Sequence, residues 1–216
     1  MIAALTAQNT KTVSGVHIPP TDFLRLQIDT LFADVDIHAV KLGMLGTAEI
    51  VRTVAERLEH FDAPFVVCDP VMVAKSGDHL LAREAVTMVR EALLPRSFMR
   101  RAAERLRDLL PTSGARWVLL KGGHLPGGDL VDLLFDGDRM IEMHAQRIET
   151  KNTHGTGCTL SSAIAALLPQ TAGDANGVEA AVRGARDYLL RAIAASGALD
   201  VGHGHGPVHH FHAQWR

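Results

Sequence analysis

The chain has 216 residues, of which 47% are hydrophobic and 21% are charged, with 22 Lys and Arg against 24 Asp and Glu. This composition fits a folded globular domain with a sizeable core, excludes a mostly disordered chain, and offers no broad basic field for nucleic acid. Cys68 and Cys158 are the two cysteines, which argues against a disulfide scaffold or a four-cysteine zinc site and favours a reducing cytoplasm. No apolar run reaches the roughly 18 residues of a membrane span, and no secretion signal opens the chain, so we expect neither a membrane partner nor export.

The first part of the chain is predicted to alternate strands and helices, from the apolar periodicity and the turn residues between the periodic stretches. In order, we expect a strand within Met1–Thr10, a loop through Gly15, Pro19 and Pro20, a helix over 21–33, a strand over 35–42 ending at Gly43, a helix capped by Thr47, and a strand over 65–69.

The second part continues this alternation and adds a strand pair. We expect helices over 83–94 and 99–110 separated by Pro95, a strand over 117–121, strands over 130–135 and 140–148 joined by a turn at Asp136-Gly137-Asp138, and helices over 158–168 and 178–196. Strands that alternate with helices predict a mainly parallel sheet covered on both faces, and the strand pair gives it an antiparallel portion. No repeat or linker divides the chain, so we predict a single domain over 1–216.

The stretch Lys151–Thr159 carries the strongest functional signal. Gly155 and Gly157 frame Thr156 at a helix start, where unpaired backbone N–H groups and the helix dipole favour an anion. The alternative is an ordinary helix entry closed by hydroxyl caps. Neither GxxxxGK[ST] nor GxGxxG occurs in the sequence, so a nucleotide site here would be of a different kind.

Cys158 lies in the first turn of this helix, where the dipole favours a thiolate that acts as nucleophile or proton acceptor. A cysteine hydrolase using His154 is a formal alternative, but no third group that would orient the pair is identifiable. A small buried cysteine with only a packing role is the other alternative.

Further candidates follow other predicted strands, because ligands of such folds bind beyond the carboxyl ends of the strands. Asp69 is placed to reach a hydrated Mg²⁺, and Lys121 is placed for a phosphate. Gln8 with Asn9 can read the edge of a heteroaromatic ring, on which Met44 can pack. Turn formation, capping and core packing remain the alternatives for each of them.

Five histidines between His203 and His212 suggest metal binding, but the tract contains no HExxH pair and no carboxylate, so we predict no metal site there.

These segments, in order, resemble the hydroxymethylpyrimidine/phosphomethylpyrimidine kinases of thiamine biosynthesis, which belong to the ribokinase-like superfamily. The resemblance rests on LTAQNT, KLGM, DPVMVAKSGD, KGGH, KNTHGTGCTLSSA and the tract at 202–212. It implies a three-layer α/β/α sandwich, ATP with Mg²⁺, a small-molecule pyrimidine substrate and a cytoplasmic homodimer.

The resemblance also implies residue roles. The matching residues place Gln8, Met44 and Val71 at the pyrimidine, Lys121, Thr153 and Lys75 at the ATP phosphates, and Asp69 at the metal. Gly155, Thr156, Gly157 and Cys158 match the catalytic anion hole, and Cys158 stands where sugar kinases carry an aspartate base, which leaves base and anion-hole roles open. A pyridoxal-type kinase and a catalytically impaired relative are the alternative functions.

Two parts of the family pattern have no counterpart in this sequence. One is a strand, glycine-rich turn and helix that would precede Met1, and the other is a TPNxxEA-like stretch that would follow the helix ending near Leu94. We therefore expect Arg96 and Ser97 to join segments that are not neighbours in the natural chain.

Overall fold

The computed structural model describes residues 1–69, 83–93, 99–102, 115–122 and 129–215. Val71, Lys75 and the Arg96-Ser97 junction lie outside the described residues. In the described ranges, no helix is both long and apolar enough to cross a membrane.

The N-terminal segment forms a hairpin separate from the central sheet. Strands β1 (Leu5–Gln8) and β2 (Val13–His17) pair antiparallel in a two-stranded sheet. The prediction that the first strand joins the parallel sheet is therefore wrong, as is the loop predicted through Gly15, which lies inside β2. The apolar and polar residues of 1–17 do not distinguish an edge hairpin from a buried strand, because pairing partners decide that choice.

Six strands pair in chain order to form the central sheet. They are β3 (Val40–Leu42), β4 (Val66–Cys68), β5 (Met99–Ala102), β6 (Trp117–Leu120), β7 (Asp129–Phe135) and β8 (Met140–Gln146). The first four are mutually parallel, and β7 runs antiparallel to β6 and β8. The predicted parallel sheet with an antiparallel portion is confirmed.

Helices cover both faces of this sheet. The described helices are α1 (Thr21–Phe32), α2 (Ala48–His60), α3 (Arg83–Met88, continued by a π-helical turn at Val89–Leu93), α4 (Thr156–Thr171) and α5 (Gly177–Ala194). Successive strand residues point to opposite faces. Accordingly, Val66 and Cys68 pack in a core with α1 to α3, and Val67 packs in a second core with α4 and α5. The fold is the expected three-layer α/β/α sandwich.

Two local signals are confirmed, the Thr47 cap of α2 and the turn at Asp136-Gly137-Asp138. The Thr47 hydroxyl accepts a hydrogen bond from Ile50 N at 3.3 Å at the start of α2. In the β7–β8 turn, the Asp136 carboxylate accepts from Arg139 N at 2.7 Å and from Asp138 N at 2.9 Å. These backbone hydrogen bonds hold the pKa of Asp136 below its ordinary value.

The predicted helix over 99–110 is wrong at its start, since Met99–Ala102 is strand β5. This strand pairs with β4 on one side and β6 on the other. Hydrogen bonding to two neighbouring strands outweighs the helical preference of the local sequence. The remainder of that predicted helix, 103–110, lies outside the described residues.

Candidate active site

Three predicted site residues lie at one edge of the central sheet. Met44 follows β3, Asp69 follows β4 and Lys121 follows β6, and these strands are parallel. The carboxyl ends of parallel strands share an edge, which is where ligands bind in open α/β folds. The fold therefore brings these residues to one side of the molecule.

Asp69 connects this edge to the start of α4. Its backbone N–H donates to Leu42 O at 3.0 Å, and its carboxylate Oδ2 accepts a hydrogen bond from Ser161 Oγ at 2.9 Å. Both side chains belong to residues only 1% exposed, so this hydrogen bond lies out of water, where it is strong. It holds the first turns of α4 against the end of β4.

The start of α4 has the geometry of an anion site. Gly155 is the N-cap and adopts a left-handed conformation with φ of 79°, and no side chain caps the helix. Thr159 N donates to Gly155 O at 2.8 Å. In the part of the chain that the structure describes, the amides of Thr156, Gly157 and Cys158 have no hydrogen-bond acceptor. The alternative of a helix closed by hydroxyl caps is therefore wrong, and these N–H groups are available to an anion.

Cys158 is exposed in the first turn of α4, which excludes the alternative of a buried cysteine with only a packing role. The backbone N–H of His154 donates to Gly206 O at 3.0 Å. Thr153, the residue before it, is half-buried, and its N–H donates to Lys151 O at 3.1 Å. The loop that precedes α4 is thus held by backbone hydrogen bonds.

Lys121 is part of a network of charged groups centred on Asp132 of β7. Lys121 Nζ lies 3.3 Å from Asp132 Oδ2, and Arg186 Nε of α5 donates to the same oxygen at 2.9 Å. Gly122 N donates to Asp132 Oδ1 at 2.9 Å, and a second Arg186 nitrogen donates to Met143 O at 2.8 Å. Asp132 therefore fixes both the Lys121 side chain and the backbone that follows β6.

The charge state of Asp132 follows from these partners. Burial, the largest single influence, would raise its pKa. The charge of Lys121, the hydrogen bonds from Arg186 and Gly122 N, and the Arg186 charge together outweigh burial, and they hold the pKa below its ordinary value. The carboxylate is ionised at neutral pH, which compensates the two cations.

Gln8 lies at the exposed end of β1 rather than after a strand of the central sheet. The neighbouring Asn9 side chain closes a turn, since its Oδ1 accepts from Lys11 N at 2.8 Å and from Thr12 N at 3.0 Å. For Asn9 the turn-forming alternative is correct. Gln8 remains the residue that is predicted to hydrogen-bond the edge of a heteroaromatic ring.

Asp132, Arg186 and Ser161 were not predicted from the sequence as site residues. The available signal was a charged residue among apolar neighbours: Asp132 lies within the apolar part of β7, and Arg186 lies on the buried face of the amphipathic helix α5. Such residues are rarely buried unless they are paired. The signal indicates that a pair exists but does not say which loop the pair supports.

A cavity of about 170 Å³ lies at the opposite edge of the sheet, lined by Phe65 and Trp117 at the amino ends of β4 and β6 and by the turn between α4 and α5. It contains none of the predicted site residues, so it is not part of the candidate site.

Solved structures with the same fold define the class of the protein. Bacillus subtilis pyridoxal kinase, solved as an ADP complex, is 27% identical with a TM-score of 0.81, and the match covers 99% of this chain and 85% of that one. Phosphomethylpyrimidine kinase from Clostridium difficile 630 is 31% identical with a TM-score of 0.71, covering 89% of this chain and 84% of that one. The protein therefore has the fold of these small-molecule kinases, which are phosphotransferases.

Sequence comparison identifies the family. The sequence model of phosphomethylpyrimidine kinase matches residues 1–209. The hydroxymethylpyrimidine/phosphomethylpyrimidine kinases of Rhizobium meliloti (strain 1021) and Escherichia coli (strain K12) are 44% and 43% identical, each match covering 100% of this chain and 86% of the relative. The chain belongs to the phosphomethylpyrimidine kinase family, which confirms the resemblance drawn from the motifs. The Rhizobium match extends over 237 positions against 216 residues here, so that relative holds residues without a counterpart in this chain.

Proposed function

We propose that the protein uses ATP to phosphorylate 4-amino-5-hydroxymethyl-2-methylpyrimidine and then its monophosphate, in thiamine biosynthesis. The family assignment supports this activity over that of a pyridoxal-type kinase. The observation that carries the proposal is the start of α4, where three amides have no acceptor among the described residues, in a helix whose Ser161 hydroxyl donates to Asp69. A phosphoryl group in transfer spreads negative charge over its oxygens, and such amides stabilise that charge.

The chain's own residues would hold the two substrates and the developing charge. Thr156, Gly157 and Cys158 present their N–H groups to the transferred phosphoryl group, and Lys121 contacts the nucleotide phosphates from a position fixed by Asp132. Thr153 and Lys75 are proposed as further phosphate contacts. Since phosphoryl transfer requires little covalent chemistry from the protein, position and electrostatics supply most of the rate.

Asp69 is proposed as the protein ligand for Mg²⁺. The described residues contain no group of three or more His, Cys, Asp or Glu side chains that would enclose a metal. Mg²⁺ is commonly coordinated by one or two carboxylates, with water and substrate phosphates as its other ligands. A single carboxylate beyond the carboxyl ends of the strands, beside the proposed phosphate position, suits such an ion. When bound, the ion neutralises phosphate charge.

Gln8, Met44 and Val71 are proposed to bind the pyrimidine. Gln8 carries an amide with both donor and acceptor atoms, which suits the aminopyrimidine edge. The exposed thiol of Cys158 lies beside the proposed phosphate position, where it serves either as the base for the pyrimidine hydroxyl or as part of the anion hole.

The assignment is tested by measuring ATP consumption with hydroxymethylpyrimidine, its phosphate and pyridoxal offered separately. We expect turnover with both pyrimidines and little with pyridoxal. Gln8→Ala is expected to raise the KM for the pyrimidine about 10-fold, the effect of one or two lost hydrogen bonds, and to leave the KM for ATP unchanged. Gln170→Ala, an exposed glutamine on α4, is the matched control.

Other outcomes of this assay contradict specific parts of the proposal. Preferred turnover of pyridoxal would replace the substrate assignment. An unaltered pyrimidine KM in Gln8→Ala would remove Gln8 from the site. Pyrimidine binding without ATP consumption would identify a catalytically impaired relative. The absence of the TPNxxEA-like stretch that we propose is missing between Arg96 and Ser97 would then account for the impairment.

We also propose that the protein is a cytoplasmic homodimer. Apolar side chains are exposed on the β1–β2 hairpin and α1, including Leu5 at 48%, Phe23 at 54% and Leu26 at 58%. A two-stranded hairpin is marginally stable alone, and a second copy packed on this surface would cover it.

The homodimer is tested by light scattering during size-exclusion chromatography. We expect the mass of a dimer for the wild type and of a monomer for Phe23→Glu, because a charge on an apolar interface must lose its hydration. Met140→Glu changes an exposed apolar residue on β8 and should leave the mass unchanged. A monomeric wild type would refute the homodimer.

A further inference from the structure

The segment Gly202–Pro207, here called the glycine strap, is hydrogen-bonded to two loops that are far apart in the sequence. On one side, Gly204 N donates to Thr10 Oγ1 at 3.1 Å and His205 N donates to Thr10 O at 2.9 Å. On the other side, Gly206 O accepts from His154 N at 3.0 Å. The first loop follows Gln8, and the second leads into the N-cap of α4.

Close packing explains why every second residue of the strap is glycine. A Cβ on Gly204 would collide with the Thr10 carbonyl oxygen, and a Cβ on Gly206 would collide with Asn152 Oδ1. Gly202 has φ of +63°, and a Cβ there would lie 2.6 Å from Thr10 Oγ1. A larger residue at position 204 would have to displace the backbone of Thr10, and one at position 202 or 206 would have to displace the side chain of Thr10 or Asn152.

The loops that the strap contacts are themselves rigid. The Asn9 side chain closes the first loop with hydrogen bonds to Lys11 N and Thr12 N. In the second, Asn152 is 6% exposed, and its Nδ2 donates to Ser196 O at 2.8 Å. A displacement at the point of contact is therefore passed to the whole loop rather than absorbed by one side chain.

The strap is also anchored to the body of the protein. Val208, which follows it, is 2% exposed in the core beneath α4 and α5. His209 N donates to Ala192 O of α5 at 2.9 Å, and Pro207 forms a β-bridge with His154. The strap is therefore held in place relative to the core, and both loops are hydrogen-bonded to it.

We propose that the glycine strap is a positioning element that fixes the Asn9–Thr12 loop and the Asn152–Gly155 loop relative to each other, so that the pyrimidine hydroxyl stays in line with the transferred phosphoryl group. This inference rests on the proposed function for the identity of the two substrates. Rates of group transfer between bound substrates depend steeply on relative position, and an error of about 1 Å can cost about 100-fold. Gly204 and Gly206 are the positioning residues.

The test compares Gly204→Ala and Gly206→Ala with Gly197→Ala, a control at which a Cβ meets nothing within 4 Å. Gly204→Ala is expected to raise the KM for the pyrimidine about 10-fold, because the Thr10 side is displaced. Gly206→Ala is expected to lower kcat about 10-fold or more, because the loop before α4 is displaced. Gly197→Ala should retain both constants within about 2-fold.

A double-mutant cycle separates the collision at Gly206 from other effects. In an Asn152→Ala background the side chain that the added Cβ at position 206 would strike is absent, so the loss of kcat caused by Gly206→Ala should largely disappear. An equal loss in both backgrounds would overturn the role of this contact.

Thr10→Val removes the acceptor for Gly204 N at nearly constant volume, and it provides a milder variant if the alanine variants fail to fold. It should raise the pyrimidine KM by about 3-fold or more.

Hydrogen–deuterium exchange gives a readout that does not depend on catalysis. Exchange should rise in peptides covering 9–12 for Gly204→Ala and in those covering 152–155 for Gly206→Ala, with no change in Gly197→Ala. Unchanged exchange would overturn the proposal, as would raised exchange with wild-type kcat and KM, which would show a merely structural strap. If the wild type phosphorylates no pyrimidine, the proposed function fails, and the exchange measurement still decides whether the strap fixes the two loops.

Discussion

Replacing Gly155 with valine is expected to lower kcat by about 100-fold or more, which is the usual effect of losing a hydrogen-bond donor to a developing negative charge. Gly155 has φ of +79° at the N-cap of α4, a conformation in which a β-branched residue is strained. The space around a Cβ is open, with only Thr159 Oγ1 at 4.0 Å. The substitution therefore acts through the backbone, by turning the N–H groups of the first turn away from the phosphoryl group.

Two variants separate this effect from general loss of structure. Gly155→Asn should retain much of the activity, because asparagine tolerates the left-handed conformation better than other residues. Gly173→Val changes a glycine at which a Cβ meets nothing within 4 Å, and it should behave as the wild type. The measurements are kcat and KM for both substrates, with the near-ultraviolet circular dichroism of each variant. Wild-type kcat in correctly folded Gly155→Val would remove the start of α4 from the mechanism.

The fold was predictable where one local pattern decides each element. The alternation of strands and helices, the Thr47 cap and the turn at Asp136 all depend on neighbours within a few residues. The errors concern the sheet that β1 joins, the loop predicted where β2 lies, and the helix predicted where β5 lies; each of these depends on a pairing partner. Met99–Ala102 lies between two parallel strands, and no signal inside those four residues specifies that place.

The candidate site likewise has one part that is visible in the sequence and another that is visible only in the folded chain. Gly155, Thr156, Gly157 and Cys158 are consecutive residues, so their chemistry is visible as a motif. The strap is a motif as well, but its partners Thr10 and Asn152 are distant in sequence, and only the folded chain shows what its glycines approach. Interactions between distant segments are therefore the part of the site that sequence reasoning misses.

Asp132→Ala is expected to destabilise the protein by about 3–5 kcal/mol, the usual effect of removing one partner from a buried ion pair. Asp132 is 3% exposed and Arg186 is 7% exposed. Without the carboxylate, the Arg186 guanidinium keeps its hydrogen bond to Met143 O but loses its counter-charge, and Gly122 N loses its acceptor. Lys121 also loses the group that holds it at the sheet edge, so the KM for ATP should rise.

The pH dependence of this stabilisation has a defined sign. The pKa of Asp132 is lower in the folded protein than its ordinary value, so the folded state binds the proton less readily than the unfolded state does. The stabilisation is fully present above the unfolded pKa of about 4 and is lost as pH falls through the folded pKa. The difference in unfolding free energy between the wild type and Asp132→Asn should be constant above about pH 5 and shrink below about pH 4.

Urea unfolding between pH 3 and pH 7 measures both the loss of unfolding free energy and its pH dependence. Asp138→Ala, in an exposed turn, is the control, and its unfolding free energy is expected within about 0.5 kcal/mol of the wild type. The double variant Asp132→Ala/Arg186→Met removes both charges and should be more stable than Asp132→Ala alone, because an apolar replacement leaves no guanidinium uncompensated. If Asp132→Ala instead loses less than about 1 kcal/mol, water must reach Arg186 in the variant. An unchanged KM for ATP in Asp132→Ala would show that Asp132 does not position Lys121.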